Sequence, residues 1–389
     1  METKMIFFIA YPLLMLLVLY LVILRNLKCS KIAKVLIFLV AACAGFKNQI
    51  ILFFGGDILA PELPRNLLIF FSSIHVVFIF TLGLALFYVI VKWLFKILKS
   101  IFKKNFSLSF ASFSGLEKFG IFIIGLILAI YATFEALETP VVTNYTFESS
   151  KYPKLQNNKP YRIVQITDTH FGSNATVEQA KEFVKIINEQ NPDIVLYTGD
   201  LIDGAPKYSE DQLKEFLKVK APIYAINGNH EYYSNTKLWK DVWKDFNINM
   251  LYNEHITINQ DGKNILTIAG LTDVQALKMP NVEEGPDIHK ALEGSDKALP
   301  VVLMVHRPER FYEYAKEGVD LMLSGHTHGG MLPVLKQIVA FFNNGLVSGL
   351  YLDGESKLIV SNGTFTWGGF CARINTPSEV VVIDLVHKD

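Results

Sequence analysis

The chain has 389 residues, of which 51% are hydrophobic and 19% charged, and its 37 Lys and Arg balance 37 Asp and Glu. So apolar a composition excludes a disordered chain, and a net charge of zero argues against a nucleic-acid binder that relies on overall positive charge. No nucleic-acid surface is evident and no protein partner is inferable. The balance hides a division: residues 1–140 hold 13 basic and 6 acidic side chains, which leaves 24 and 31 for the remainder. Length and division together predict a membrane region over residues 1–139 and a second domain over 140–389. Three cysteines, Cys29, Cys43 and Cys371, exclude a disulfide framework and a thiolate zinc cluster.

Four apolar stretches, near 6–24, 35–54, 67–91 and 119–137, fit helices crossing a hydrocarbon core about 30 Å thick. Lys47, Asn48 and Gln49 interrupt the second. They predict either a helix kink or snorkelling end, or a polar site at membrane depth. Loop charges orient the set. Arg25, Lys28, Lys31 and Lys34 lie in the first connection, and the stretch 92–118 carries six basic residues against Glu117. The connection between these two, with Asp57, Glu62 and Arg65, has a net charge of −1. Basic loops alternating with neutral or acidic ones predict a multi-pass protein of the cell membrane with both termini, and the domain after residue 139, outside the cytoplasm. Lys92, Lys96, Lys99 and Lys103 recur at helical spacing, which reads as an interfacial helix facing anionic membrane lipids or as an ordinary basic loop.

Beyond Thr139-Pro140 the texture changes. Val141, Thr143, Tyr145 and Phe147 alternate as in a strand, and a polar stretch follows over 151–160. Short apolar runs then recur, each ending in polar residues. Residues 161–167 run into Asp168-Thr169-His170, and 193–198 into Gly199-Asp200. Residues 222–226 run into Asn227-Gly228-Asn229-His230-Glu231. Residues 300–305 run into His306, and 320–324 into Gly325-His326-Thr327-His328-Gly329-Gly330. Between the first two, apolar positions at 177, 180, 183, 184, 186 and 187 predict a helix packed on a sheet. Buried strands with polar residues past their carboxyl ends are where α/β sheets place their sites. Five of the nine histidines lie there, beside Asp168, Asp200 and Asn229. Donors that are all imidazole nitrogens or oxygens suit divalent Mn, Fe, Zn, Ni or Co.

The order DTH, GD, GNHE, a strand-end His, then GHTH resembles the calcineurin-like metallophosphoesterase superfamily. GHTHGG, Ser348-Gly349-Leu350-Tyr351 and Asn362-Gly363-Thr364 look most similar to a membrane-associated bacterial phosphodiesterase branch of it. The resemblance covers residues 140–389 and leaves the membrane region uncovered. It implies an α/β fold, a four-layer α/β/β/α sandwich of two mixed sheets, here preceded by the four-helix transmembrane region. It also implies two divalent metal ions. Asp168, His170 and His328 would hold the first, and Asn229, His306 and His326 the second. Asp200 would bridge them, and His230 would be the catalytic imidazole.

That division is chemically sensible. Two cations about 3.5–4 Å apart can clamp a phosphate and share a hydroxide. A bridge between them needs an anionic carboxylate, and an imidazole near the leaving oxygen can protonate it. Glu231 reads either as a residue orienting that imidazole or as a solvated loop carboxylate. Arg373, after a Gly-rich run, reads as a clamp for a substrate phosphate or as one half of an ion pair. The apolar stretch Met331–Leu352 predicts either a surface that dips into a bilayer or core packing with a strand at 349–352. Met331 departs from the polar residue that relatives often carry after GHTHGG. The function implied is a membrane-anchored dinuclear-metal phosphohydrolase. It would be a phosphodiesterase acting on a lipid or lipid-linked phosphoester by attack of a metal-bridging hydroxide. Alternatives are a phosphomonoesterase or pyrophosphatase and, in another class, a membrane sensor or transporter with a non-catalytic metal-binding outer domain.

Overall fold

The computed structural model describes residues 2–58, 61–103, 114–234, 236–240, 242–279, 284–367 and 369–389; the side chains of residues 2–8, 100–103, 237 and 238 lie outside that description. The chain divides into two compact units, Met1–Ile58 with Asn66–Phe134, and Leu59–Arg65 with Glu135–Asp389.

The first unit is helical. Helix Glu2–Leu19 runs into a π-helical turn at Tyr20–Leu24, and helix Lys31–Gly45 starts on Ser30, whose Oγ accepts the Ala33 N–H at 3.1 Å. Among the described residues, two helices are long and apolar enough to cross a membrane, Arg65–Lys99 and Gly115–Leu137. A third crossing exists if Lys31–Gly45 and Lys47–Gly55, bent by 62° at their junction, form one broken span. The first of the four predicted stretches is a shorter apolar helix over Ile9–Leu24 among the described side chains. The bend falls at Phe46, immediately before Lys47, so the interruption in the sequence is a helix break with the lysine buried inside the unit. Helix Arg65–Lys103 carries Lys92, Lys96 and Lys99 in one continuous run, and Lys92 pairs with Glu117 at 2.7 Å. The remainder of the predicted basic segment, the Lys103 side chain and residues 104–113, lies outside the described residues.

The described residues of the second unit form twelve strands: β1 Val141–Ser149, β2 Tyr161–Ile166, β3 Ile194–Tyr197, β4 Ile223–Ala225, β5 Ile248–Met250, β6 Glu254–Gln260, β7 Lys263–Gly270, β8 Val301–Met304, β9 Leu321–Ser324, β10 Gly349–Asp353, β11 Ser356–Val360 and β12 Glu379–His387. They form two six-stranded sheets, ordered β1-β12-β2-β3-β4-β5 and β10-β11-β9-β8-β7-β6. Both are mixed. β2, β3, β4 and β5 run parallel with β12 antiparallel to β2, and β7, β8, β9 and β11 run parallel between antiparallel edge strands β6 and β10.

Side-chain alternation divides the apolar residues of each strand between two cores. Ile163, Ile194 and Leu196 of one sheet meet Ile268, Val302, Met304 and Leu323 of the other, which closes the sandwich. On the outer face of the first sheet, Val164, Val195 and Tyr197 pack against Phe183 and Ile187 of helix Val177–Glu189. That helix begins in a capping box in which Thr176 and Gln179 satisfy each other's backbone N–H groups. On the outer face of the second sheet, Leu303, Met322 and Leu358 meet Ile288, Phe311 and Tyr314 of short helices. The layers are therefore helix, sheet, sheet, helix. Each fully buried Leu, Ile or Phe in them is worth roughly 1.5–3 kcal/mol.

Candidate metal centre

The parallel strands of both sheets end at one mouth. Asp168 follows β2, Asp200 follows β3, Asn229 follows β4, His306 follows β8 and His326 follows β9. Backbone bonds lock these ends together. Asp168 N–H donates to Gly199 O at 3.0 Å, His170 N–H to Asp200 O at 3.1 Å and Gly325 N–H to His306 O at 3.0 Å. Two further bonds cross between the sheets, from the Gln165 side-chain amide to Ser324 O at 3.0 Å and from the His326 N–H to Asp168 Oδ2 at 3.1 Å.

The loops that follow are tightly turned. Asp168, His170, Asp200, His326 and His328 all have φ between 46° and 69°, a left-handed conformation that non-glycine residues adopt at a cost. Such residues cluster where the surrounding structure holds side chains for function. Gly199, at φ 94°, is required twice over: a Cβ there would stand 2.7 Å from both Gly228 N and His306 Nδ1.

Among the described residues, three groups of side chains come close enough to hold a cation: Asp168, His170 and His328; His170, Asp200 and His230; and Asp200, His306 and His326. Asp200 Oδ2 lies 3.3 Å from His306 Nε2 and 3.8 Å from His170 Nε2, so one carboxylate reaches both ends of the cluster. His170 Nε2 and His328 Nε2 face each other at 3.2 Å, and His328 Nε2 is 3.4 Å from Asp168 Oδ1. Lone pairs that close repel unless a proton or cation lies between them. Asn229 Oδ1 is buried without a hydrogen-bond partner among the described residues, which fits a donor atom turned toward a metal.

The ring nitrogens behind the cluster are fixed. His306 Nδ1 lies 2.8 Å from Thr198 O, and His170 Nδ1 is 3.0 Å from Asp203 Oδ1. An oxygen acceptor at Nδ1 keeps the proton there and leaves Nε2 free as a ligand. The residues therefore suit divalent ions of hard or borderline character.

Electrostatics follow the same geometry. Burial pushes the Asp168 carboxyl up, against the pull of His306. Burial also opposes ionisation of Asp200, yet His306 and His230 beside it hold it well below the usual carboxylate range. Burial and the Arg307 charge hold His326 well below the usual imidazole range, and burial with His170 does the same to His328, so both rings are neutral. His306 is opposite: burial would lower it, but Asp200 raises it to about 10. Burial would likewise lower His230, but Asp200 and Asp203 raise it to about 9.

In the metal-free protein these two raised values add stability that is fully present below a pH of about 6.5. It drains away as pH climbs through the folded values. A metal must displace the His306 proton. Its affinity is therefore expected to rise about tenfold per pH unit from about pH 7 toward about pH 9. Calorimetric Mn titrations across that range check this, and an affinity flat with pH would contradict it.

Three further residues complete the site, of which the sequence reading singled out only Glu231. Asp203, three positions past Asp200, accepts from both His170 Nδ1 and His230 Nδ1, the latter at 2.6 Å. Glu231 is not a solvated carboxylate, and its charge adds to those that raise the His230 imidazole. It is fully buried and accepts the N–H groups of Asp200, Leu201, Ile202 and Gly228, which clamps the two ligand loops. Burial and Asp200 raise it to about 7. Arg307 is held by Asp273 at 2.8 Å, with its guanidinium 3.3 Å from His326 Nε2 and partly exposed. The only sequence signal for these was position beside a ligand.

Arg373, expected as a phosphate clamp or ion-pair partner, has no exposed surface. It donates to the carbonyls of Asn362, Thr376 and Phe365 at 2.9–3.1 Å and, at 3.4 Å, of His328. An arginine so engaged braces the ligand loop from behind and cannot reach a substrate. Of the Gly-rich run before it, Gly368 lies outside the described residues. Cys371 is buried, as expected of a small hydrophobe.

Residues 161–330 match the model of the calcineurin-like phosphoesterase family. The chain is 34% identical over 268 residues to an uncharacterized metallophosphoesterase of Campylobacter jejuni, covering 67% of this chain and 68% of that one. It is 29% identical over 270 residues to a transmembrane protein with metallophosphoesterase domain of Danio rerio, spanning 61% of that protein's length. Among solved structures, a 5'-nucleotidase precursor from Thermus thermophilus aligns with 57% of this chain and 54% of its own at 14% identity and a TM-score of 0.38. With a third of its residues shared with the Campylobacter protein over two thirds of both chains, this chain belongs to the calcineurin-like metallophosphoesterase family.

Proposed function

We propose that the chain is a membrane-anchored phosphohydrolase that cleaves a phosphodiester of a lipid or lipid-linked kind at a two-metal centre. The observation that carries the reading is Asp200, whose single carboxylate reaches the His170 side and the His306 side of one buried cluster. Asp168, His170 and His328 would hold one cation, Asn229, His306 and His326 the other, and Asp200 both. Two cations held there would polarise a phosphate and provide a nucleophile near neutral pH.

The protein's own groups supply the rest. Without metal, burial would lower His230, but Asp200 and Asp203 raise it to about 9, and its Nδ1 is turned to Asp203. A protonated His230 would offer its Nε2–H to a departing oxygen. Glu231 and Arg373 hold the ligand loops without touching substrate. The two spanning helices, and relatives named as transmembrane proteins, support work at a membrane. The basic segments at 25–34 and 92–118, which flank the apolar stretches, support a catalytic domain outside the cytoplasm. Labelling of an introduced surface cysteine by a membrane-impermeant maleimide in intact cells checks the side.

The decisive experiment is a hydrolysis screen on purified, Mn-loaded full-length protein, with a ligand-residue variant as control. It compares phospholipids, nucleotides, and the bis- and mono-nitrophenyl phosphates. Preference for diesters and lipids is the expected result. Preference for the mono-ester would make it a phosphomonoesterase, and no hydrolysis at all would leave a metal-binding sensor.

A further inference from the structure

Soon after His328 the chain forms an exposed apolar helix. Helix Pro333–Phe342 has no buried residue, and Val334, Phe341 and Phe342 are 77%, 81% and 73% exposed. Its charge is a single lysine, Lys336. The helix is not loosely attached. Gly330, at φ 78°, lies so close to it that a Cβ would stand 2.4 Å from Lys336 Cα, so the helix backbone leans directly on the His328–Gly330 turn.

Between them is a cavity of about 290 Å³. His326 and His328 form its floor, and Met331, Trp367, Leu335, Ile338 and Val339 its walls. Met331 is neither glycine, asparagine nor aspartate, yet it is held at φ 57° with its side chain buried against this opening. A hydrophobic slot that opens onto ligand histidines sits where the organic part of a phosphoester would lie.

We propose that this cavity is a hydrocarbon-chain subsite: it receives one chain of a lipid phosphoester whose phosphate lies at the metal centre. The outer face of the helix enters the lipid interface from which that chain comes. The inference rests on the phosphodiesterase reading above and adds to it the group that selects the substrate. An amphipathic helix with exposed aromatic and branched residues and one cation fits the boundary of an anionic bilayer. Polar head groups, nucleosides and sugars find little to bond with on such walls, and their desolvation would go uncompensated.

The test uses p-nitrophenyl n-alkyl phosphates, methyl to decyl, below their micelle concentrations, on the full-length Mn-loaded protein. KM is expected to fall by up to about fourfold per added methylene until the cavity is filled, with kcat nearly flat, because binding far from the reacting bond acts on ground and transition states alike. Val339→Asn is expected to flatten that slope and to raise the decyl KM by about tenfold relative to the methyl KM. Release of p-nitrophenol with a KM indifferent to chain length would overturn the subsite and leave the phosphodiesterase standing. A slope that persists unchanged in Val339→Asn would trace to detergent partition and overturn it equally. No release from any member, methyl included, would instead sink the phosphodiesterase reading on which the inference rests.

Discussion

Asp200→Asn is expected to empty the centre of metal and lower turnover by at least about a thousandfold, whereas His230→Ala should keep its metal and still lose about 10²–10⁴ in kcat. The difference follows from position. The Asp200 carboxylate is within 3.3–3.8 Å of ligand nitrogens on both sides of the cluster. The surrounding histidines hold it ionised well below the usual carboxylate range. An amide of the same shape removes the one negative charge shared by both cation positions. It also disturbs the bond that Asp200 Oδ1 accepts from the His230 N–H at 2.8 Å.

His230 stands differently. Its Nδ1 is committed to Asp203, and its role is to carry a proton. Metal analysis beside single-turnover kinetics separates the two variants. Since His170, Asp200 and His230 also lie close enough to hold a cation, loss of metal from His230→Ala would make His230 a ligand and overturn its assignment as the acid.

Arg373→Ala is expected to destabilise the catalytic domain by about 4 kcal/mol, because at least three buried carbonyls lose their donor and a cavity is left behind. In a domain of this size that is a fall of roughly 10 °C in melting temperature. Metal affinity should fall with it, since the guanidinium bonds the His328 carbonyl and sits 3.3 Å from His328 Nδ1. Burial lowers the Arg373 pKa only to about 10, so the group is still a cation at neutral pH. A clamp on substrate would behave otherwise, raising KM while thermal stability stayed as in the wild type. Calorimetry with Michaelis kinetics distinguishes the two outcomes.

Much of the site was legible in the chain because strands announce themselves. Runs such as Tyr161–Ile166, Ile194–Tyr197 and Leu321–Ser324 are largely apolar, and in a parallel sheet covered on both faces such runs have one place to go. Their carboxyl ends then carry Asp168, Asp200 and His326 to a common edge. The order of donor types along the chain carried the resemblance from which the ligand set was expected. The same local logic found helix Val177–Glu189 and the apolar stretches of the first unit.

What folding alone decided concerns contacts between distant residues. Periodicity at Lys47-Asn48-Gln49 left kink and polar site open; the chain breaks its helix there, with a bend of 62°. Arg373, read as a phosphate clamp or an ion-pair partner, is sealed among carbonyls, whereas Arg307, unremarked in the sequence, stands partly exposed 3.3 Å from His326 Nε2. Asp203 and Glu231 gain their roles from ring nitrogens and amides some thirty positions away. Helix Pro333–Phe342 is apolar enough to have been core, yet the fold leaves it on the surface, with Gly330 packed against Lys336. Pattern along a chain reports which side of an element avoids water. Which partner satisfies a buried charge depends on where other segments arrive, and no local pattern contains that.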